Sequence, residues 1–231
     1  MRFSIIIFAY NEVNSLSTVF YDVLNFLSGT SEDYEIILVN DGSSDGTDML
    51  CSQLKDSNPN VTLITHPNNK GIGMALRSGY MAATKEYVCA IPGDGQFNID
   101  ELRAVQPFDA NTYYSFYRPQ TNYNRYRNTL TWINRLFNQH VLGIFLRDVN
   151  WIKVYRKEQI HFANPQLKSS LVESEICAKL YKAGVMPVEI PSQYLPRKSG
   201  VAKGGNWKTL RKAIAETLKL WWTATTFKLN I

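Results

Sequence analysis

The sequence predicts an α/β fold: a mostly parallel central sheet flanked by helices, closed into a single domain. Three observations carry this. Short apolar runs recur four times in the first hundred residues, each ending in a polar tip, and each is followed by apolar residues at helical spacing. Strands that alternate with helices need crossover connections, which are right-handed, so the strands lie side by side and point the same way. A chain of 231 residues with 45% hydrophobic content is long enough to bury one sizeable core.

Phe3 to Phe8 reads as the first strand. The helix after it carries Val13, Leu16, Val19, Phe20, Val23, Leu24 and Leu27 on one face, with Gly29 expected at its end. Tyr34 to Asn40, Val61 to Thr65 and Glu86 to Ile91 read as the next three strands. Beyond them the pattern predicts a strand at Thr112 to Arg118 and a long helix at Thr129 to Leu146. A strand at Val149 to Tyr155 and a helix at Leu171 to Ala183, stopped by Gly184, follow. In the last thirty residues Trp207, Leu210, Ile214, Leu218, Trp221 and Trp222 interleave with Lys208, Arg211, Lys212 and Lys219, a pattern suited to a membrane headgroup layer or to packing on the sheet.

The strand tips carry the chemistry. Where the second strand should emerge, Asn40-Asp41-Gly42-Ser43-Ser44-Asp45-Gly46-Thr47 makes a sharp turn able to hold a carboxylate toward a ribose or base, with Thr47 opening the next helix. The third tip, Asn69-Lys70-Gly71-Ile72-Gly73, offers glycines for close backbone approach and a cation beside phosphates. The first tip reads Ala9-Tyr10-Asn11-Glu12 and the fourth Pro92-Gly93-Asp94-Gly95-Gln96. Four polar tips on neighbouring strands point to nucleotide recognition. A dehydrogenase reading of Gly71-Ile72-Gly73 fails, because its glycine motif is incomplete and does not follow the first strand.

In order and spacing these segments resemble the inverting family 2 glycosyltransferases of the GT-A fold. Arg147-Asp148-Val149-Asn150-Trp151, Glu173-Ser174-Glu175 and Pro196-Arg197-Lys198-Ser199-Gly200 resemble the branch that includes the polyprenyl-phosphate, dolichyl-phosphate-type, sugar transferases. The resemblance implies a nucleotide-diphosphate sugar as donor, held by Ala9, Tyr10, Asn11, Glu12, Asp41, Ser43, Lys70 and Gly71. It implies catalytic roles for Asp94, Gln96 and Asp148, with Asp94 also holding Mg²⁺ or Mn²⁺, and contact of Arg118, Arg127, Arg197 and Lys203 with an anionic acceptor. The chain departs from the family pattern at Pro92, where the first acid of Asp-x-Asp stands, at Phe8, where a proline stands, and at Trp151-Ile152, where Gly-Phe stands.

Charge is divided unevenly. Residues 1–100 hold five Lys or Arg against twelve Asp or Glu, and residues 101–231 hold twenty against eight. The basic half is expected to meet lipid phosphate or a membrane surface rather than nucleic acid, which would not explain the acidic strand tips. The expected domain is 1–205, with a nucleotide-sugar half at about 1–100 and an acceptor half at about 101–205, followed by an amphipathic helix at 206–231. Cys51, Cys89, Cys177, His66, His140 and His161 lack metal-ligand spacing, and odd, scattered cysteines fit a reducing compartment. With no signal peptide or bilayer-spanning run, the chain is expected on the cytoplasmic face of a membrane, bound peripherally, with a homo-oligomer or a membrane partner protein as its possible company. The expected reaction is sugar transfer to a polyprenyl phosphate. Transfer to a glycan hydroxyl, with Asp148, Glu173 or Glu175 as base, and a decayed nucleotide-binding relative are the alternatives.

Overall fold

A computed structural model describes residues 1–30, 33–119, 125–197 and 207–227. The strands are β1 (Phe3–Ala9), β2 (Tyr34–Asn40), β3 (Val61–Thr65), β4 (Tyr87–Pro92), β5 (Thr112–Tyr117), β6 (Lys153–Arg156) and β7 (Met186–Pro191). The helices are α1 (Leu16–Thr30), α2 (Thr47–Asp56), α3 (Ile72–Ala82), α4 (Arg125–Val141), α5 (Lys157–Ala163), α6 (Val172–Lys182) and α7 (Trp207–Thr225). Among the described residues the strands form one sheet in the order β3-β2-β1-β4-β6-β5-β7. Every pairing is parallel except those of β6 with β4 and with β5. The α/β class with a mostly parallel sheet is therefore the observed one.

Alternation along the central strands divides the core into two layers. Ile5 and Ile7 of β1 join Leu38, Cys89 and Ile91 beneath α1 and α2, while Ile6 joins Ile37, Val39, Val88 and Ala90 beneath α3 and α6. Such strands, buried on both faces, read as continuous apolar runs. The chain builds outward from β1 to β2 and β3, then returns to place β4 on the other side of β1. That reversal is a topological switch point, where the loops leaving β1 and β4 part and leave a crevice.

Most boundaries agree within a residue of the sequence reading, and the larger differences have physical reasons. Helix α1 runs through Gly29 to Thr30, whose hydroxyl donates to the Phe26 carbonyl at 2.6 Å. Helix α4 starts earlier and ends at Val141, because Gly143 takes φ 69° and the Ile144 amide returns to the Asn138 carbonyl at 2.9 Å, a glycine-terminated helix end. The strand expected from Val149 begins only at Lys153, since Asp148 turns the chain by accepting from the Asn150 amide at 3.2 Å. Strand β7 was not expected at all. Its Pro187 and Pro191 argue against a strand, and it forms because it lies at the sheet edge, bonded on one side only.

Candidate active site

The loops leaving β1, β2 and β3 are sewn together by side chains that bind backbone amides. Asn11, held at φ 55°, donates its amide to the Ser43 hydroxyl at 3.0 Å, and its side-chain carbonyl accepts from the Ser44 amide at 2.8 Å. The Glu12 amide donates to the Thr47 hydroxyl at 2.9 Å, and the Val13 amide to Asp45 at 3.3 Å. Burial alone raises the Asp45 pKa, but hydrogen bonds from the Thr47 hydroxyl and from the Thr47 and Val13 amides outweigh it and hold the carboxyl below its ordinary range. Ala9 is buried, and its carbonyl accepts the Asp41 amide at 2.9 Å, while Tyr10 is half-buried at the same tip.

Asp41 was read as a carboxylate facing a ribose or base. Its side chain is 3% exposed and turned onto the neighbouring loop, accepting from the amides of Lys70 at 2.9 Å and Gly71 at 2.8 Å. His66 completes the arrangement, bridging Asp41 at 2.7 Å and the Ser78 hydroxyl at 2.9 Å. Gly42 lets the third loop lie directly on the second: with φ +70°, a methyl there would meet the Asn68 backbone at 2.3 Å. His66 was dismissed from the sequence because it has no metal spacing, and its structural role leaves no spacing signal.

At the switch point two carboxylates from different strand ends face one cation. Arg197 donates to Asp94 at 2.6 Å and to Glu12 at 3.3 Å, with all three side chains largely buried. The second Asp94 oxygen accepts the Gln96 amide at 3.0 Å, and the Gln96 side chain donates to the Tyr194 hydroxyl at 2.6 Å. The Leu195 amide donates to the Gln96 carbonyl at 3.1 Å, which ties the segment carrying Arg197 to the β4 loop.

Beside this centre lies a second wall. Arg118, at the end of β5, donates to Asp148 at 2.7 Å and lies 4.4 Å from the Trp151 ring centroid and 5.3 Å from that of Tyr194. The Trp151 indole donates to the Ser192 hydroxyl at 2.8 Å. Lys153, 2% exposed, donates to the Val149 carbonyl at 2.5 Å and the Trp151 carbonyl at 3.1 Å, so a buried ammonium fixes the turn that carries Asp148 and Trp151. Tyr194 was absent from the sequence reading, Lys153 entered it only as part of the strand expected at Val149 to Tyr155, and Trp151 only within the segment from Arg147 and as a departure from the family pattern. Arg127 lies on α4 with its side chain outside the described residues, and Lys203 lies outside them altogether.

Glu173 and Glu175, the other carboxylates considered as bases, are buried and engaged elsewhere. Glu173 accepts from the Tyr80 hydroxyl at 2.5 Å and the Tyr155 hydroxyl at 2.8 Å. Burial, followed by the charge of Glu173, pushes the Tyr80 phenol well above its ordinary 10, so it stays a donor. Glu175 pairs with Lys179 at 2.6 Å and accepts the amides of Gln166 and Leu167 at 2.9 and 2.8 Å. The three cysteines are free and buried, and burial pushes Cys51 up to about 12, which leaves it inert.

Among the described residues no group of three or more His, Cys, Asp or Glu side chains is placed to hold a metal. Glu12 and Asp94 nonetheless converge on the Arg197 guanidinium, so their arrangement suits a positive charge. Magnesium often takes only one or two protein carboxylates and completes its shell with substrate phosphates and water, a demand this pair fits.

Known proteins place these features in a family. Over 108 residues, 45% of this chain, the sequence is 32% identical to the dolichyl-phosphate beta-glucosyltransferase ALG5A of Trichomonas vaginalis, covering 33% of that protein. The match thus spans about a third of the length of the curated relatives it resembles. In fold, the chain is similar to glucosyl-3-phosphoglycerate synthase from Mycobacterium tuberculosis in complex with UDP, with TM-score 0.68, 16% identity, and coverage of 96% of this chain and 80% of that one. It is similar also to the mannosyltransferase PcManGT from Pyrobaculum calidifontis in complex with GDP-Man and Mn²⁺, with TM-score 0.60, 18% identity, and coverage of 99% and 65%. The family model described as glycosyl transferase family 2 matches residues 4–168, from the first strand through the strand tips and the Arg118–Asp148 pair, and the chain belongs to that family.

Proposed function

We propose that this chain moves a sugar from a nucleotide-diphosphate sugar onto the phosphate of a polyprenyl phosphate at a membrane surface. The observation that carries the reading is the Arg197 guanidinium poised between Asp94 and Glu12, with the Arg118–Asp148 pair beside it. Breaking the donor's anomeric bond sheds a diphosphate, and its charge must be met as it develops. Ala9, Tyr10, Asn11, Glu12, Ser43, Lys70 and Gly71 form the donor's side of the crevice, with Asp41 bracing the Lys70–Gly71 loop. A Mg²⁺ or Mn²⁺ ion held by Asp94 would supply Lewis-acid neutralisation of the diphosphate. Arg197 adds countercharge on the same side, and Gln96, oriented by Tyr194, faces donor or acceptor oxygens.

The acceptor argument rests on which groups could take a proton. A sugar hydroxyl needs a general base, whereas a phosphate oxygen is already ionised near neutral pH and needs positioning. Glu173 and Glu175 are committed to buried partners, and Asp148 is tied to Arg118. A fixed guanidinium suits a phosphate acceptor, so Arg118 is assigned to it, with Arg127 and Lys203 as further cations of the acceptor half. The relatives named for dolichyl-phosphate transfer support the same choice. No described helix is long and apolar enough to cross a membrane. Exposed Trp132, Phe145, Leu218, Trp221 and Trp222 support peripheral contact with the cytoplasmic face.

The test offers the purified chain labelled UDP-glucose and GDP-mannose with Mn²⁺, against a polyprenyl phosphate and against a non-phosphorylated glycan. The proposal expects product with the lipid phosphate. Product only with the glycan would overturn it.

A further inference from the structure

We infer that Glu216, on the C-terminal helix, is a positioning residue for donor binding, acting through the start of α3. This rests on the reading of the Lys70–Gly71 loop as part of the donor site. Helix α7 presents one face to the domain at four-residue spacing: Glu216, then Leu220, buried with Leu167 and Leu171, then Ala224. The Glu216 carboxylate accepts from two successive amides, Lys168 at 3.0 Å and Ser169 at 2.9 Å. An ionised acceptor makes such bonds roughly twice as strong as neutral ones.

The strand of contacts continues without a gap. The Ser169 carbonyl lies against Gly73, so close that a methyl on Gly73 would fall 1.9 Å from the oxygen and 2.4 Å from its carbon. Gly73 is in the first turn of α3, whose N-cap is Gly71 at φ 94°. The Gly71 and Lys70 amides are those that Asp41 holds. Backbone pressed on backbone cannot absorb a displacement by rotating a side chain, so a shift of residues 168–169 is passed to the first turn of α3. Glu216 pins that segment from the far side. The sequence makes Gly73 look like a ligand-approach glycine; in the structure its close neighbour is the chain's own Ser169.

The experiment compares wild type with Glu216→Ala and Glu216→Gln by calorimetry with UDP and GDP in the presence of Mn²⁺, by amide exchange, and by steady-state transfer. The expected result for Glu216→Ala is about a tenfold weaker nucleotide Kd and a matching rise in donor KM, with kcat and acceptor KM unchanged. Exchange at residues 69–75 accelerates along with 168–171, and Glu216→Gln, which can still accept both amides, recovers most of the loss. Leu220→Ala serves as the control that loosens α7 without touching the carboxylate, and its donor Kd stays nearer wild type than that of Glu216→Ala. Unchanged donor Kd and unchanged exchange at 69–75 in Glu216→Ala would overturn the inference. Equal loss in Leu220→Ala would overturn it too, by showing that helix docking alone matters. Absence of nucleotide binding by wild type would instead sink the donor-site reading beneath it.

Discussion

On one side of the switch-point crevice Asp41, Ser43, Asp45 and Thr47 give their oxygens to backbone amides of neighbouring loops. On the other side Arg118, Asp148, Trp151 and Tyr194 hold one another, and Arg197 pairs with Asp94, through side chains drawn from segments far apart in sequence. The first wall is fixed with the fold: moving it means breaking the loops apart. The second is fixed by charge and ring contacts, which an incoming anion can compete for. A transferase gains from that division, because a donor pocket benefits from rigidity while acceptor and leaving group need cations able to change partners. The comparison predicts that variants of the first wall lose stability and donor affinity, whereas variants of the second lose turnover or acceptor affinity at nearly constant Tm.

The largest effect is expected at the junction of the walls. Asp94→Asn keeps the shape of the side chain, and its Oδ1 can still accept the Gln96 amide, but it removes the charge facing Arg197. Transfer should fall by about 10²–10³-fold, the range seen when one preorganised electrostatic group is lost, with little change in Tm. Full activity would remove Asp94 from the chemistry. Next comes Gly42→Ala on the amide-bound wall. A methyl pressed to 2.3 Å against the Asn68 backbone at φ +70° must push the third loop away. The expected cost is about 2–3 kcal/mol of stability, read by denaturant unfolding, together with weaker nucleotide binding. If Gly42→Ala slowed kcat at saturating donor and left stability intact, the distinction between the walls would fail.

The same division explains what the sequence could reveal. Strands β2 and β3 coincide with their apolar runs, and the four polar tips mark the crevice, because burial on both faces and turn chemistry are local properties. Family motifs led to Asp94, Arg118 and Arg197. The partners were not legible. That Arg197 bridges Glu12 and Asp94 depends on residues 185 and 103 positions apart meeting at one point. The stacking of Arg118 on Trp151 and Tyr194 depends likewise on β5, the turn before β6 and the segment after β7 coming together. Asp41 shows the converse: its spacing marked it as facing ligand, and in the structure the amides of Lys70 and Gly71 and the ring of His66 take up its oxygens. Strand β7 escaped notice because its prolines obey an edge rule that only the sheet order discloses.

Within the second wall, Arg118→Lys keeps the charge but gives up the fork that meets Asp148 while stacking on Trp151. Acceptor KM should rise by about tenfold, near the worth of one charge-assisted hydrogen bond, and donor KM should hold. A rise in donor KM instead would move Arg118 to the other side of the crevice.

The smallest effect tests the amide-bound wall by pH. Asp45 has its folded pKa depressed below the ordinary 3.8 by bonds from Thr47 and Val13, against the opposing effect of burial. A depressed carboxyl contributes stability that is complete above its unfolded pKa and is lost as pH falls through the lower folded value. Asp45→Asn should therefore melt slightly below wild type at neutral pH, by less than Gly42→Ala, because Asp45 is exposed and solvent screens it. The gap should stay constant down to about pH 4 and close below it, as wild type takes up its proton. Melting curves of both proteins from pH 7 to pH 2.5 decide the matter. A gap that widened with acid would mean that the Asp45 charge opposes the stitching of the β1 and β2 loops, and the amide-bound wall would then owe its rigidity to packing at Gly42 and to the hydrogen bonds of Asn11, Ser43, Thr47 and Asp41.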